Sequence, residues 1–309
     1  MNTNHAIWIV GVLAAFVAND CRANLNGSDD FNDNSKDPLR WGADIFSGGG
    51  IFTEVNQRLE YTTSGTVNPD DLIARPWVLN SGSSTQNWEV QIDLHVLSPS
   101  FALTDGQQVF LGLIAFAGDL NNRLDIQFGK DFREFTNDFR AGFGANGVGF
   151  PYVHARTAAT FAALRIAFDA NSKVLSCFYD ANGADCGYSW TLLRADEVGT
   201  NWGLTSTSAI TVAVLGQDNL TALVSSNNVF ADNFRASSGA TPRLGITPGN
   251  GKVVISWSTN APACHLESTG TLTPPICWQV APNTPGVVST NFTVTNTISS
   301  ANTFYRLSR

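Results

Sequence analysis

A strict alternation of apolar and polar side chains runs from Trp88 to Val96. The apolar positions are Trp88, Val90, Ile92, Leu94 and Val96. The polar positions between them are Glu89, Gln91, Asp93 and His95. Successive side chains of a β-strand point to opposite faces of its sheet, so this pattern predicts a strand with one buried face and one solvated face. The same period recurs at 124–128 and 164–168, and no segment sustains a helical period, so we expect an all-β protein.

Further strands are predicted between clusters of Gly, Asn, Asp and Ser. They are 51–61, 108–116, 174–179, 209–215 and 228–235. Segment 108–116 is apolar on both faces, which is typical of a central strand. The interval 98–107 and the Gly-rich segment 141–151 are predicted to be long loops. Strands at this spacing indicate an antiparallel sandwich or barrel.

The composition changes near 237–243, which separates two predicted domains at 28–237 and 243–309. The second contains five short strand-like runs between Pro and Gly turns. They are 253–257, 264–268, 276–280, 291–295 and 303–307. A segment of this size predicts a small β-sandwich.

The N-terminus reads as a signal peptide over 1–23. Its apolar run, 7–18, is too short to span a bilayer but suits the central region of a secretory signal. Cys21 and Ala23 place small residues before a cut after Ala23. The alternatives are a lipoprotein cysteine at Cys21 and a buried first helix. We favour secretion, with no membrane span in the mature chain.

Charge and cysteine content agree with a secreted protein. With 18 Lys and Arg against 26 Asp and Glu, the net charge of −8 excludes the basic surface that nucleic acid or anionic lipid requires. Four cysteines follow the signal segment, in two close pairs, and we expect the disulfides Cys177–Cys186 and Cys264–Cys277. A zinc cluster is the weaker alternative, since there is no CxxC motif and the histidines are widely separated.

Several segments resemble the concanavalin A-like lectin and glucanase jelly roll of secreted bacterial proteins. They are Asp29–Asn34, Trp41, Gly48–Tyr61 and Phe230–Phe234. The tail is similar to fibronectin-III or Ig-like modules, through Trp257, Leu266–Thr269, Trp278 and Phe304–Leu307. The resemblance implies a concanavalin A-like antiparallel jelly-roll sandwich at 28–237, followed by a small Ig/fibronectin-III-like β-sandwich. A fold of this kind does not by itself establish a function.

The glucanases of that fold carry three acids in a Glu-x-Asp-x-Glu strand, two of them the reacting carboxyls of retaining hydrolysis. The corresponding string here is Gln91-Ile-Asp93-Leu-His95, in which only the middle acid remains. The resemblance therefore implies a protein that has lost the paired catalytic carboxylates. We expect no enzyme activity of this class.

Sugar-binding jelly rolls use a polar sheet face as a groove. The predicted ligand set on such a face is Gln91, Asp93, His95, Asp125, Gln127 and Arg165. Its alternative is an ordinary solvated face with Asp–Arg pairs. Trp77 and Trp202, in Pro- or Gly-flanked segments, are predicted stacking platforms. The other tryptophans of the two domains are expected in cores: Trp41, Trp88, Trp190, Trp257 and Trp278.

A structural calcium ion is expected where the first and last strands of the jelly roll meet. Asp29 or Asp30 would there approach Asp232, supplying the carboxylate oxygens that calcium prefers. Three functions remain open: a secreted carbohydrate-binding or adhesion protein that takes polysaccharide or surface glycan, a degenerate glycosidase, and a purely structural surface protein. We favour the first.

Overall fold

The computed structural model describes residues 27–46, 50–63, 71–78, 81–98, 101–104, 106–183, 188–219, 224–238, 244–249, 251–259, 264–273, 276–297 and 303–308. These residues form strands and loops, without a helix among them, so the protein is all-β as predicted. It follows that this described part holds no helix able to cross a membrane. The predicted signal peptide, with Cys21 and Ala23, lies outside the described residues.

The chain divides into two compact units. Within the described residues, the larger unit comprises 27–183 and 190–238, and the smaller comprises 188–189 and 244–308. The larger unit contains sixteen strands: β1 Gly27–Asp29, β2 Ile45–Phe46, β3 Gly50–Val55, β4 Arg58–Thr63, β5 Asp71–Pro76, β6 Gly82–Ser83, β7 Trp88–His95, β8 Gln108–Phe116, β9 Arg123–Asp131, β10 Asn137–Ala145, β11 Val148–Thr157, β12 Phe161–Asp169, β13 Val174–Asp180, β14 Thr191–Glu197, β15 Ala209–Asn219 and β16 Phe230–Ser238.

These strands form two antiparallel sheets. The first sheet has the order β14-β13-β12-β7-β16-β4-β3, with β1 also paired to β16. The second sheet has the order β11-β10-β9-β8-β15-β5-β2, with β6 paired to β15. The chain passes from one sheet to the other repeatedly, after β1, β2, β4, β6, β7, β11, β14 and β15. Such crossing between two antiparallel sheets is the jelly-roll arrangement.

The core of the larger unit lies between the two sheets. The apolar side chains of β7 are buried there, at 3% exposure or less, with β8 of the second sheet facing them. Full burial of one such side chain stabilises the fold by about 1.5–3 kcal/mol relative to leaving it exposed. The alternation of apolar and polar residues therefore divides β7 between a core face and an outer face.

One predicted loop is wrong. Segment 141–151 is mostly strand, with β10 and β11 joined in a hairpin at Asn146 and Gly147. Both turn residues have positive φ, 52° and 80°, as a two-residue hairpin turn of this kind requires. Gly142 faces the ring of Tyr152 so closely that a Cβ would come within 2.7 Å of it. The glycines thus permit a tight strand pairing rather than a loop.

The described residues of the smaller unit form seven strands in two sheets. The strands are β17 Gly245–Gly249, β18 Lys252–Ser258, β19 His265–Thr269, β20 Gln279–Val280, β21 Gly286–Val288, β22 Asn291–Thr297 and β23 Phe304–Ser308. The sheet orders are β17-β18-β22-β21 and β20-β19-β23. A small core gathers Ile255, Trp257, Cys264, Leu266, Ala281 and Val294. The likeness of this unit to Ig or fibronectin-III modules stays a prediction.

The predicted disulfides are not formed. Cys177 and Cys264 are both free, buried thiols, which removes one partner from each expected pair. Cys177 has the inward parity of its strand, so its Sγ lies 3.8 Å from the carbonyl oxygen of Asp125 in the core instead of across a hairpin. Cys264 packs into the small core of the second unit. Cys186 lies outside the described residues.

Candidate functional site

The polar stripe of β7 lies on the outer face of the first sheet. Glu89, Gln91, Asp93 and His95 are half-buried and alternate with the fully buried apolar side chains, as the sequence predicts. Strand β7 is bordered by β12 on one side and β16 on the other. The neighbours of the stripe are therefore side chains of those two strands.

Two aromatic rings enclose His95. Phe161 on β12 and Phe230 on β16 are its direct cross-strand partners, with ring centroids 4.4 Å and 4.6 Å from the imidazole. The guanidinium of Arg58 lies 3.8 Å from the centroid of Phe230. Burial lowers the pKa of His95 and the charge of Arg58 adds to this effect, while a hydrogen bond with the Asn228 backbone opposes it. Phe161 ends this row and is 57% exposed.

Arg165 on β12 is held by aromatic rings instead of hydrogen bonds. Its guanidinium carbon lies 4.3 Å from the centroid of Phe178 and 4.8 Å from that of Trp190. Its one ion pair within the described residues is with Glu89, at 3.6 Å. The buried Nε atom has no hydrogen-bond partner in that part of the chain. Burial lowers the pKa of Arg165, an expected cost of a guanidinium packed between rings.

Gln91 lies directly opposite Arg165 on β12 and Arg235 on β16. Its buried amide nitrogen, Nε2, has no partner among the described residues. The same is true of the buried Nδ1 of His95. An unpaired buried polar atom costs about 1–3 kcal/mol, and native proteins keep few of them. With Arg165 Nε, this sheet face therefore carries three buried polar atoms that have no partner among the described residues.

A β-bulge shapes the same face next to Asp93. The pairing of β16 with β7 shifts register between Asp232 and Arg235, and Asn233 adopts a left-handed φ of 52°. The side-chain amide of Asn233 donates to Asp93 Oδ2 at 3.0 Å. Asp232 lies directly opposite Asp93, and burial raises its pKa, as does the charge of Asp30. Bulges of this kind are common beside functional sites because they redirect side chains.

We call this surface the polar–aromatic face. Its members share the outer side of the first sheet around β7: Gln91, Asp93, His95, Phe161, Arg165, Phe178, Trp190, Phe230 and Asp232. The structure thus brings together four of the predicted ligand residues, Gln91, Asp93, His95 and Arg165. The four aromatic members were not predicted. The cross-strand register that places them there has no signal in a single sequence.

Asp125 does not belong to this face, contrary to the prediction. It lies on β9, on the outer side of the second sheet, and is 2% exposed. Gln127, two residues further along β9, donates its amide to Asp125 Oδ2 at 2.8 Å. Alternation predicts which residues share a face, but it does not tell to which of two sheets a strand belongs. The predicted groove therefore separates onto opposite sides of the sandwich.

Arg140 organises the outer side of the second sheet. Its guanidinium donates to the side-chain oxygens of Gln108, Gln127 and Gln217 at 2.8–3.1 Å and lies 3.4 Å from the centroid of Phe110. Burial raises the pKa of Asp125 and lowers that of Arg140. These side chains bond mainly to one another and are almost wholly buried, so this network stabilises the second sheet.

The predicted stacking platforms are core residues. Trp77 is 1% exposed and packs edge-on against Trp41, with centroids 4.9 Å apart. Trp202 is 6% exposed, and its indole N–H donates to the carbonyl of Gly144 at 3.0 Å. Trp41, Trp88 and Trp257 are buried as predicted. Trp190 and Trp278 are only half-buried, each beside an arginine, because their rings lie against a guanidinium at a sheet surface.

The predicted calcium ligands are not assembled into a cation site. Asp29 is already committed, since its two oxygens accept hydrogen bonds from the Trp41 indole at 2.7 Å and the Phe31 amide at 2.9 Å. No group of three or more His, Cys, Asp or Glu side chains suited to a metal occurs in the described part of the chain. Asp29 and Asp30 instead line a cavity of about 290 Å³ together with Arg40, Asn233 and Arg235.

Comparisons with known proteins report the fold only. No protein-family model and no curated protein matches the chain. Among solved structures, lectin II from Ulex europaeus is similar over 71% of this chain and 100% of its own, at 11% identity and a TM-score of 0.46. Arcelin-5 from Phaseolus vulgaris is similar over 66% and 96%, at 12% identity and a TM-score of 0.42.

A further similar structure is the GH43 protein BlXynB from Bacillus licheniformis, at 13% identity and a TM-score of 0.45. The likeness covers 69% of this chain and 39% of BlXynB, so this chain spans about two fifths of that protein's length. Similarities at these identities and TM-scores are likenesses only. The larger unit is a two-sheet antiparallel β-sandwich by its own strand pairing.

Proposed function

We propose that this chain is a secreted, non-catalytic glycan-binding protein whose ligand lies on the polar–aromatic face. One observation carries the proposal: Gln91 Nε2, His95 Nδ1 and Arg165 Nε lack partners among the described residues, and exposed Phe161 borders the same row. A sugar ring has C–H groups on its faces and hydroxyls at its rim. Aromatic side chains beside unpaired polar atoms match both parts of that surface.

The test begins with a glycan array on the mature protein, with and without EDTA, followed by calorimetry on the strongest ligand. We expect weak binding that is lost when His95 and Phe161 are both replaced by Ala. The matched control is Phe135→Ala, because Phe135 is 93% exposed and is not part of the polar–aromatic face. Equal affinity of the double variant and the wild type would exclude this face as the site. Absence of binding to every glycan on the array would contradict the function itself.

A glycoside hydrolase is the second candidate, and a specific observation favours it. Asp93 and Asp232 are direct cross-strand partners on one face, and such partners have Cα atoms about 4.5–5.5 Å apart. Retaining glycosidases use two carboxyls about 5–5.5 Å apart, one of them with a raised pKa. Asp232 has the raised pKa, and Asp93 accepts a hydrogen bond from Asn233.

Release of reducing ends from the bound glycan separates the two candidates. The non-catalytic proposal expects none from the wild type under conditions in which the glycan is bound. The hydrolase expects release that Asp232→Asn abolishes, while Asp119→Asn retains it as the matched control. Asp119 is exposed and lies in the loop between β8 and β9 of the second sheet, outside the polar–aromatic face.

A further inference from the structure

The side chain of Arg165 has no hydrogen bond to any described residue. Its five N–H groups form a planar fork that normally pairs with oxygen acceptors. Phe178 and Trp190 fix the plane of this fork, and Glu89, at 3.6 Å, is beyond good hydrogen-bond distance. A guanidinium that is oriented by packing, and whose buried Nε has no acceptor among the described residues, is arranged for an acceptor that arrives with a ligand.

Gln91 extends this donor group across the sheet. It lies between Arg165 and Arg235, so three adjacent strands present a guanidinium, an amide and a second guanidinium in one cross-strand row. Gln91 Nε2 and Arg165 Nε, the buried donors without a partner in this row, are both N–H groups. Neither side chain has a hydrogen bond to another described residue, so an acceptor on a ligand pairs with either one without breaking such a bond.

The acidic neighbours lie in other rows. On the same face of β7, Glu89 lies two residues before Gln91 and Asp93 lies two residues after it. Asp232 on β16 is the cross-strand partner of Asp93. Asp93 already accepts from the Asn233 side chain, and Asp232 from the Asn233 backbone. The row formed by Arg165, Gln91 and Arg235 therefore contains two positive charges and no carboxylate. A neutral hydroxyl uses one N–H donor, whereas a carboxylate accepts from two and gains from the charge.

We propose that the glycan is acidic, and that the carboxylate of a uronic acid residue binds to Arg165 and Gln91. This inference rests on the proposed function and specifies its ligand class. The uronate ring then lies toward His95 and Phe161, further along the same strands. Arg235 contributes long-range attraction from the far side of Gln91.

The experiment compares a galacturonic acid oligosaccharide with its methyl ester, which keeps the shape but removes the charge. Calorimetry at about 50 mM salt should show the free acid binding about tenfold more tightly, a difference of about 1.4 kcal/mol. In Arg165→Gln the ratio of the two affinities should fall to near one. Arg156→Gln removes an equal charge from the second sheet and should leave the ratio unchanged.

Gln91→Leu provides a second test if Arg165→Gln does not fold, because it removes the amide donor at similar volume. It should lower the acid affinity about threefold and leave the ester affinity unchanged. Equal affinity for acid and ester in the wild type would overturn the acidic-ligand inference while leaving glycan binding intact. Failure to bind either form, with no neutral glycan bound, would contradict the proposed function as well.

Discussion

The imidazole of His95 stacks on the ring of Phe230, with centroids 4.6 Å apart and planes 18° apart. The two residues are direct cross-strand partners on β7 and β16. Such a pair contributes about 0.5–1.5 kcal/mol beyond the area that it buries. Because Arg58 lies over Phe230 and Phe161 flanks His95, the stack gives the polar–aromatic face a rigid end. A rigid aromatic surface loses little conformational entropy when a ligand binds.

Replacing Phe161 by Ala should weaken glycan binding about tenfold, or about 1.4 kcal/mol, because a sugar ring loses its most exposed aromatic contact. The free energy of unfolding should change by less than about 1 kcal/mol, since the side chain is 57% exposed. Calorimetry and urea denaturation measure the two quantities. Phe135→Ala is the control for both, and an unchanged affinity in Phe161→Ala would remove this ring from the site.

Glu60 should stabilise the fold at neutral pH and lose that effect in acid. Burial raises the pKa of Glu60, but bonds from Ser226, Asn56, the Asn227 amide and Arg58 outweigh it and lower the pKa to about 2. A lowered pKa stabilises the fold above the ordinary value of 4.5, and the effect is lost as the pH falls toward 2.

Glu60→Gln should therefore be about 3 kcal/mol less stable than the wild type at about pH 7. That deficit should shrink steadily between about pH 4.5 and 2. Denaturant unfolding across this range measures it. A deficit that is independent of pH would show that the bonds to Glu60 do not depend on its charge.

The pH dependence of the stability contributed by Glu54 should be opposite to that of Glu60. Burial raises its pKa to about 7; the charge of Arg75 opposes this shift, and Asp29 adds to it. Because of the raised pKa, Glu54 contributes to the stability of the fold in its protonated form. This contribution is complete below about pH 4.5 and is lost as the pH rises through 7. As the pH rises from about 4.5 to 7, the free energy of unfolding of Glu54→Gln should increase relative to that of the wild type by up to about 3 kcal/mol. A constant difference between the two proteins over that interval would contradict the raised pKa.

Cys177 should be unreactive in the folded protein. It is fully buried, and burial raises the pKa of its thiol well above the ordinary value. Differential alkylation followed by peptide mapping should label Cys177 only after unfolding, as a free thiol. Recovery of Cys177 in a disulfide with Cys186 would restore the pairing that the sequence predicts and contradict the structure.

The alternation of β7 was sufficient to predict a strand, its buried side and the polar residues on its outer side. It was not sufficient to assign Asp125 and Gln91 to different surfaces, because both sheets have polar outer faces with the same period. Phe161, Phe178 and Phe230 reach the site only through the register of three strands. That register depends on pairing between strands that are far apart in the chain, so it cannot be predicted from the residues of any one strand.

Other differences have local causes. Asn146 and Gly147 between strand-like runs are a strong hairpin signal, and the glycine content of 141–151 concealed it. Trp77 follows Pro76 in sequence, yet an isolated bridge to Trp41 draws it into the core. The spacing of Cys264 and Cys277 suggested a pair, but Cys264 fills space in an apolar cluster instead.

A structure of the protein with its strongest array ligand tests the central claim most directly. We expect the sugar across β12, β7 and β16, with contacts to Phe161 and His95 and with an acceptor group on Arg165 and Gln91. The competing surface is the second sheet, where Asp138 Oδ1 and Asn219 Oδ1 are buried acceptors without partners among the described residues. A sugar bound there, beside Arg140 and Tyr152, would contradict the assignment of the binding site to the polar–aromatic face.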